Sequence, residues 1–135
     1  MATDSVHLGQ HVARPAADVY AFASDPRHLP RWASGLGSDV EQRDGDWWVS
    51  TDAGPARVRF APQNPYGVLD HEVRTPTGET VHVPLRVLPD GDDACEVVIT
   101  LRRAPGMSDQ DMARDAELMR GDLARLRDLL ESDVD

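Results

Sequence analysis

The groups in this chain whose types could do chemistry are five histidines, one cysteine and scattered carboxylates. His71 is the most informative of them. In Leu69-Asp70-His71-Glu72-Val73, alternation puts Leu69, His71 and Val73 on one face of a strand and Asp70 and Glu72 on the other. An imidazole on an apolar face has two readings. It orients a ligand or moves a proton as a general acid–base, for which its titration range suits it. Otherwise it is a core histidine bonded to a backbone carbonyl or a water, since an unpartnered buried ring costs about 1–3 kcal/mol. Asp70 and Glu72 point away from it and read as surface charges, not as partners in a triad. Cys95 lies on the inner face of a later strand, two strands away. A Cys95–His71 nucleophilic pair is therefore disfavoured, and the thiol reads as a small buried apolar group.

A pocket would need walls as well as a polar handle. Gln10 interrupts the apolar face of the first strand, either to bond a ligand oxygen or because it lies near a wet strand end. Trp47, Phe60 and Tyr66 are candidates for an aromatic lining, against ordinary core packing. Met112 and Met119 fall on the inner stripe of the last helix, where flexible thioethers suit an adaptable wall. Trp32 reads as packing between the short helices in preference to touching a ligand. Metal chemistry is not expected: His7 and His11 are four apart but on the wet face of a strand, and His28 and His82 have no ligand at useful spacing. No phosphate-cradling glycine loop and no nucleophile elbow occurs.

The elements that must position these residues follow from periodicity. Val6 to Val12 alternates as a strand. Arg14-Pro15 ends it and opens a helix carrying Val19, Phe22 and Ala23, which Asp25-Pro26 stops. Leu29 and Trp32 mark a second short helix. Gly35 to Arg43 reads as a weak strand, Asp44-Gly45 as a turn, Trp47 to Thr51 as a strand, Gly54-Pro55 as a turn, and Ala56 to Phe60 as a strand. Pro62 to Tyr66 must be irregular. Val68 to Arg74 and Thr80 to Leu88 form a hairpin around the three-residue loop Pro76-Thr77-Gly78, which pairs Val73 with Val81, His71 with Val83 and Leu69 with Leu85. Cys95, Val97, Ile99 and Leu101 make the last inner face, with Arg86 expected opposite Glu96 on the outer one. A sheet dry on one side needs a cover. Ser108, with Asp111 three residues on, caps a long helix whose Met112, Ala116, Met119, Leu123, Leu126 and Leu130 form an apolar stripe, widened by Leu118 and Leu129.

Bulk properties narrow the function classes. At 135 residues, one domain spanning 1–135 is expected, and a chain of this size buries roughly 68% of its extended surface. With 24 acidic residues against 14 basic ones the net charge is −10, which repels phosphate backbones and anionic membranes. The single cysteine excludes an intrachain disulfide and suits a reducing compartment. Without a secretory n-region or a bilayer-length apolar run, the expectation is a soluble cytoplasmic protein.

The opening residues Val12, Pro15, Val19, Asp25-Pro26 and Trp32 resemble the N-terminal signature of the START/polyketide-cyclase (SRPBCC) superfamily. The closing helix looks like its grip helix. The stretch Gly67 to Val73 and the segment Pro105-Gly106-Met107-Ser108-Asp109 are similar to a group of small bacterial members. The resemblance implies an α+β helix-grip fold: a seven-stranded antiparallel sheet round a long C-terminal helix, two short helices after the first strand, and a cavity between sheet and helix. It implies binding of a small hydrophobic or aromatic molecule there, with His71, Gln10, Trp47, Phe60, Tyr66, Met112 and Met119 as candidate contacts. An alternative is a cyclase or dehydratase using His71 as acid–base; another is a co-chaperone-like interaction protein. No catalytic residue carries over, because pocket residues are not fixed in the superfamily. No cofactor, no metal, no nucleic-acid partner and no stable membrane insertion are expected.

Overall fold

The first strand, β1 (Ser5–Val12), gives way at Pro15, whose carbonyl accepts from the N–H groups of Asp18 and Val19 to begin α1 (Ala16–Ala23). The Asp25 carboxylate caps the next turn by accepting from Arg27 N–H; a 3-10 turn over Pro26–His28 then runs into α2 (Leu29–Trp32). The computed structural model describes residues 4–33 and 39–132. The strand expected from Gly35 is therefore seen only as β2 (Val40–Arg43), and its first part lies outside the described residues. Among the described residues no helix is long and apolar enough to cross a membrane.

Six further strands follow: β3 (Asp46–Thr51), β4 (Gly54–Phe60), β5 (His71–Arg74), β6 (Thr80–Val83), β7 (Leu85–Pro89) and β8 (Cys95–Arg102). All pairings are antiparallel. They form a three-stranded sheet in the order β1-β8-β7 and a five-stranded sheet in the order β2-β3-β4-β5-β6. The expectation of one seven-stranded sheet is corrected to eight strands in two sheets. Pro84 is the reason. It lies in the middle of the expected strand Thr80 to Leu88; its carbonyl accepts from Thr100 N–H of β8 and it has no N–H to return, so the β7–β8 ladder begins after it, while β6 ends before it. The turn after β3 is also corrected, to Asp52 and Ala53, two residues earlier than Gly54-Pro55, which open β4.

The hairpin register survives the break. His71 pairs with Val83 and Val73 with Val81 on one side of Pro84. On the other side Leu69 N–H donates to Leu85 O at 2.8 Å, Val87 N–H donates to Gly67 O at 2.9 Å, and Val68 bridges to Arg86. A regular antiparallel pair would return the Leu85 N–H to the Leu69 carbonyl. Here that bond is divided. Leu85 N–H donates to the Asp70 carboxylate at 2.9 Å, and the Leu69 carbonyl accepts from the His71 ring at 3.0 Å. Asp70 also binds the Arg86 guanidinium through two oxygens, at 2.9 and 2.7 Å. Arg86 stands opposite Val98 in the β7–β8 ladder, so the expected Arg86–Glu96 pair is replaced by Arg86–Asp70; Glu96 faces Leu88.

The reciprocal cap on α3 (Asp109–Ser132) forms as expected: Asp111 N–H donates to Ser108 Oγ and Ser108 N–H to Asp111 Oδ2. Met112, Ala116, Leu123, Leu126 and Leu130 are buried from this helix, whereas Leu118 is exposed and does not widen the stripe. α3 packs on β1 and β8 and against α2. Its last turn is tied to the end of β1, since Arg14 donates to the Leu130 carbonyl and Ala13 N–H to the Glu131 carboxylate. The core draws Val12, Leu85, Val87, Cys95 and Val97 from the three-stranded sheet and Val49, Ala56 and Val58 from the five-stranded one. At the β6 edge cover is incomplete, and Val81 is 46% exposed.

Two stability predictions follow from the region beside the break. Gly67 has φ +71°, and a Cβ there would lie 2.3 Å from the Val87 carbonyl oxygen, which is backbone and cannot yield. Gly67→Ala should therefore lose upward of about 2 kcal/mol in urea unfolding, from strain and a broken 67–87 contact. Asp70→Ala should cost about 1–3 kcal/mol by stranding the Leu85 N–H and the Arg86 head. Asp70→Asn, which keeps an acceptor oxygen, should cost less; equal losses would show that the carboxylate does not stand in for the ladder.

Candidate functional site

His71 opens β5, opposite Phe60 of β4 and Val83 of β6. Its strand parity is that of buried Leu69, so the ring lies on the inner face, as expected, and the residue is only 9% exposed. The ring packs at a tilt on Phe60, centroids 4.9 Å apart. A carbonyl only accepts, so the 3.0 Å contact to Leu69 O places the ring proton on Nδ1. Burial first of all pushes the imidazole pKa below its ordinary 6.5; the Leu69 bond and the charge of Asp70 oppose this more weakly. The ring is thus neutral near neutral pH, with Nδ1 committed and the Nε2 lone pair without a protein partner among the described residues.

Two open depressions adjoin this point. One of about 340 Å³ is bounded by Phe60, His71, Val83 and Pro84 with Arg59 and Glu72. The other, of about 370 Å³, is bounded by Trp47, Val58, Phe60, Gln63 and Pro26. Phe60 belongs to both, so the structure brings Trp47, Phe60 and His71 into one strip. Gln10 stands apart: it shares the inner parity of Leu8 and Val12 but sits with Arg120 and Leu123 of α3, and its amide donates to the neighbouring His11 carbonyl. Tyr66 also stands apart. It is 77% exposed on a loop over a separate groove of about 500 Å³ with Ala16, Tyr20 and Val87. Met112 is buried and Met119 part-buried against the core.

Of the other histidines, His82 lines the rim of the same depression as His71, and the other three lie elsewhere. His28 stacks on Phe22, ring centroids 4.1 Å apart, and touches its carbonyl; His7 contacts Thr100; His11 and His82 face Asp90 and Glu72 on the surface. Among the described residues no cluster of three or more ligating side chains forms. Cys95 is fully buried, its thiol pKa pushed up by desolvation, and it neighbours Val12 and Pro89, not His71. An exposed low-pKa nucleophile is the opposite environment.

Three residues acquire roles that alternation did not assign. Asp70 is held by Arg86, whose hydrogen bonds keep the carboxyl below the usual carboxylate range, and it serves the backbone as well as the surface. Asn64 organises the irregular segment: its Oδ1 accepts from Tyr66 and Val68 N–H, and its own N–H donates to Tyr20 Oη at 3.1 Å. An Asn between prolines is the signal for such a turn. Trp32 is 3% exposed, and its indole Nε1 has no hydrogen-bond partner, a feature worth about 1–3 kcal/mol against folding.

The depressed His71 pKa has a definite sign in stability. Below 6.5 the unfolded chain takes up a proton that the folded ring refuses, so stability falls as pH drops toward the folded-state pKa. His71→Phe should flatten that acid-side slope between about pH 7 and about pH 5, whatever its absolute stability. Urea unfolding across that range, with the His71 ring titration followed by NMR, checks it; an unchanged slope would refute the buried neutral ring.

Residues 3–131 match the family described as polyketide cyclase / dehydrase and lipid transport. No curated protein matches the sequence. Solved structures share the fold at low identity. An uncharacterised protein of Bacillus thuringiensis superposes with a TM-score of 0.73 at 10% identity, covering 92% of this chain and 96% of that one. Norcoclaurine synthase from Thalictrum flavum, in complex with dopamine and hydroxybenzaldehyde, gives 0.63 at 18% identity, covering 99% and 90%. The di-domain ARO/CYC BexL of the BE-7585A biosynthetic pathway gives 0.68 at 20% identity over 95% of this chain, which spans 46% of that protein. The antiparallel sheets and long C-terminal helix are those of helix-grip proteins, and with a family match across nearly its whole length the chain belongs to the polyketide cyclase / dehydrase and lipid transport family.

Proposed function

We propose that this protein binds a small aromatic or otherwise apolar molecule carrying a hydroxyl group, which donates to His71 Nε2. One observation carries the reading: a buried, neutral imidazole with its proton committed to Leu69 and its lone pair left over. Nε2 is not sealed in the interior: it opens toward the depression, where a ligand hydroxyl would take the place of water. Phe60 and Trp47 supply apolar faces beside it. The family description includes lipid transport, and a fold relative holds a phenol and an aromatic aldehyde, so ligands of this shape suit the scaffold. Gln10, Tyr66, Met112 and Met119 act outside the first contact with the hydroxyl in this reading. The small ligand is the partner we assign, and no cofactor enters the scheme.

The same lone pair favours a second reading, an enzyme of the cyclase or dehydratase kind. An uncharged Nε2 is a base at neutral pH and can take a proton next to a ligand carbonyl. In that case His71→Phe abolishes turnover together with its pH profile; in the first reading it weakens binding and there is no turnover to lose.

Thermal unfolding against a panel of naphthols and their deoxy analogues tests the binding reading. A ligand that binds the folded state raises the melting temperature by mass action. Hydroxylated members should raise it, and His71→Phe should weaken their binding about tenfold, which corresponds to about 1.4 kcal/mol. Equal shifts with hydroxylated and deoxy compounds, or equal binding by the variant, would overturn it.

A further inference from the structure

Tyr66 and the groove beneath it are features the binding reading leaves unused. The Tyr66 side chain is 77% exposed. A lone exposed apolar group is ordinary, but this one is held in place. It stands on the loop between β4 and β5, which the Asn64 side chain pins with four hydrogen bonds: Oδ1 accepts from Tyr66 and Val68 N–H, and Nδ2 donates to the Pro62 and Val68 carbonyls. Gly67 lays that loop against Val87. Tyr66 with Ala16, Tyr20, Pro65, Val87 and Pro89 thus walls an open groove of about 500 Å³ whose lining carries no charge. Tyr20 Oη accepts from Asn64 N–H at 3.1 Å, and among the described residues no acceptor takes its own proton. The Asn64 Oδ1 and Gly67 carbonyl acceptors are already taken. The groove therefore offers a donor and suits an occupant with free acceptors and few N–H groups. At its Pro89 end the chain turns through Asp90, Asp92 and Asp93, all exposed. His11 lies 3.9 Å from Asp90, and among the described residues no arginine pairs with the three.

We infer that this groove docks a proline-rich segment of a partner protein, flanked by arginine or lysine. A polyproline II chain makes no internal hydrogen bonds, so its carbonyls are free, and proline has no N–H to strand. Its rings settle on aromatic walls, supplied here by Tyr66 and Tyr20, while Tyr20 Oη–H donates to one of its carbonyls. The donor lies within the groove and the carboxylates follow its Pro89 end, so an extended segment meets both where a compact molecule meets one. Basic flanks complement the acidic turn and the net charge of −10. The pinned loop and the stiff polyproline helix keep the ordering cost of docking low. The groove is separate from the His71 depressions, so the inference stands apart from the binding reading.

Titration of the 15N-labelled full chain with an arginine-flanked polyproline peptide tests it. The controls are an arginine-flanked glycine–serine peptide of equal length and a glutamate-flanked polyproline. The test peptide should move the Tyr20, Tyr66 and Gly67 amide resonances and bind about tenfold more tightly than either control, less so as salt rises. Tyr66→Ala truncates an exposed side chain and keeps the backbone bond to Asn64; it should weaken binding about tenfold. Tyr20→Phe should weaken it too, with the Asn64 and Val68 resonances reporting that the loop is intact. Equal binding by either control, an unmoved Tyr66 resonance, or full affinity in Tyr66→Ala overturns the proposal. Shifts of the same resonances on raising the protein concentration alone would assign the groove to a second copy of the chain, and displacement of the peptide by a naphthol would assign it to a small molecule; either result overturns it as well.

Discussion

The Leu69–Leu85 pair is where this structure turns from scaffold to site. Its register calls for two reciprocal bonds, and only one forms. The other is divided between two side chains, with Asp70 taking the Leu85 N–H and His71 supplying the Leu69 carbonyl. Both backbone groups are satisfied, which a buried ladder requires. The cost of the division is met by Arg86, whose guanidinium neutralises the Asp70 charge with paired hydrogen bonds. Pro84 lies directly opposite Asp70 in that register, at a position whose backbone faces away from β5: its carbonyl accepts from Thr100 N–H of β8.

This arrangement also sets the chemistry. A histidine free to choose its tautomer can present a donor or an acceptor to a ligand. One whose Nδ1–H is tied to a main-chain carbonyl presents only Nε2, and burial keeps that nitrogen unprotonated. The backbone break therefore dictates the polarity of the site. Neighbouring constraints keep the geometry in place. Gly67 lets the chain pass against Val87, Asn64 holds the loop before it, and Arg14 and Ala13 fasten the end of the cover helix to the end of β1.

The helix-grip architecture matters because α3 covers only part of the dry surface. It packs on β1 and β8, while the β5–β6 end stays partly open and Val83 is half-buried. His71 sits at that transition, below the surface yet beside open depressions. A group so placed is desolvated enough to lose its charge and remains close to an opening through which a ligand can pass.

Alternation, caps and turn residues determined much of this protein by themselves. The inward parity of His71, the three-residue hairpin loop with its register, the reciprocal Ser108–Asp111 cap and the apolar stripe of the last helix are all local, and local patterns encode them. The tertiary structure alone decided the rest. Pro84 splits the sheet because of what lies across from it, and Asp70 leaves the ranks of surface charges because a neighbouring strand offers it an N–H. Trp47, Phe60 and His71 meet, and Gln10 and Tyr66 do not, because meeting depends on twist and on where the cover helix ends. The proton position on His71 and the unpartnered Trp32 N–H belong to that second group: a hydrogen bond made, or left unmade, across strands and helices is a property of the fold and has no periodic signature in the chain.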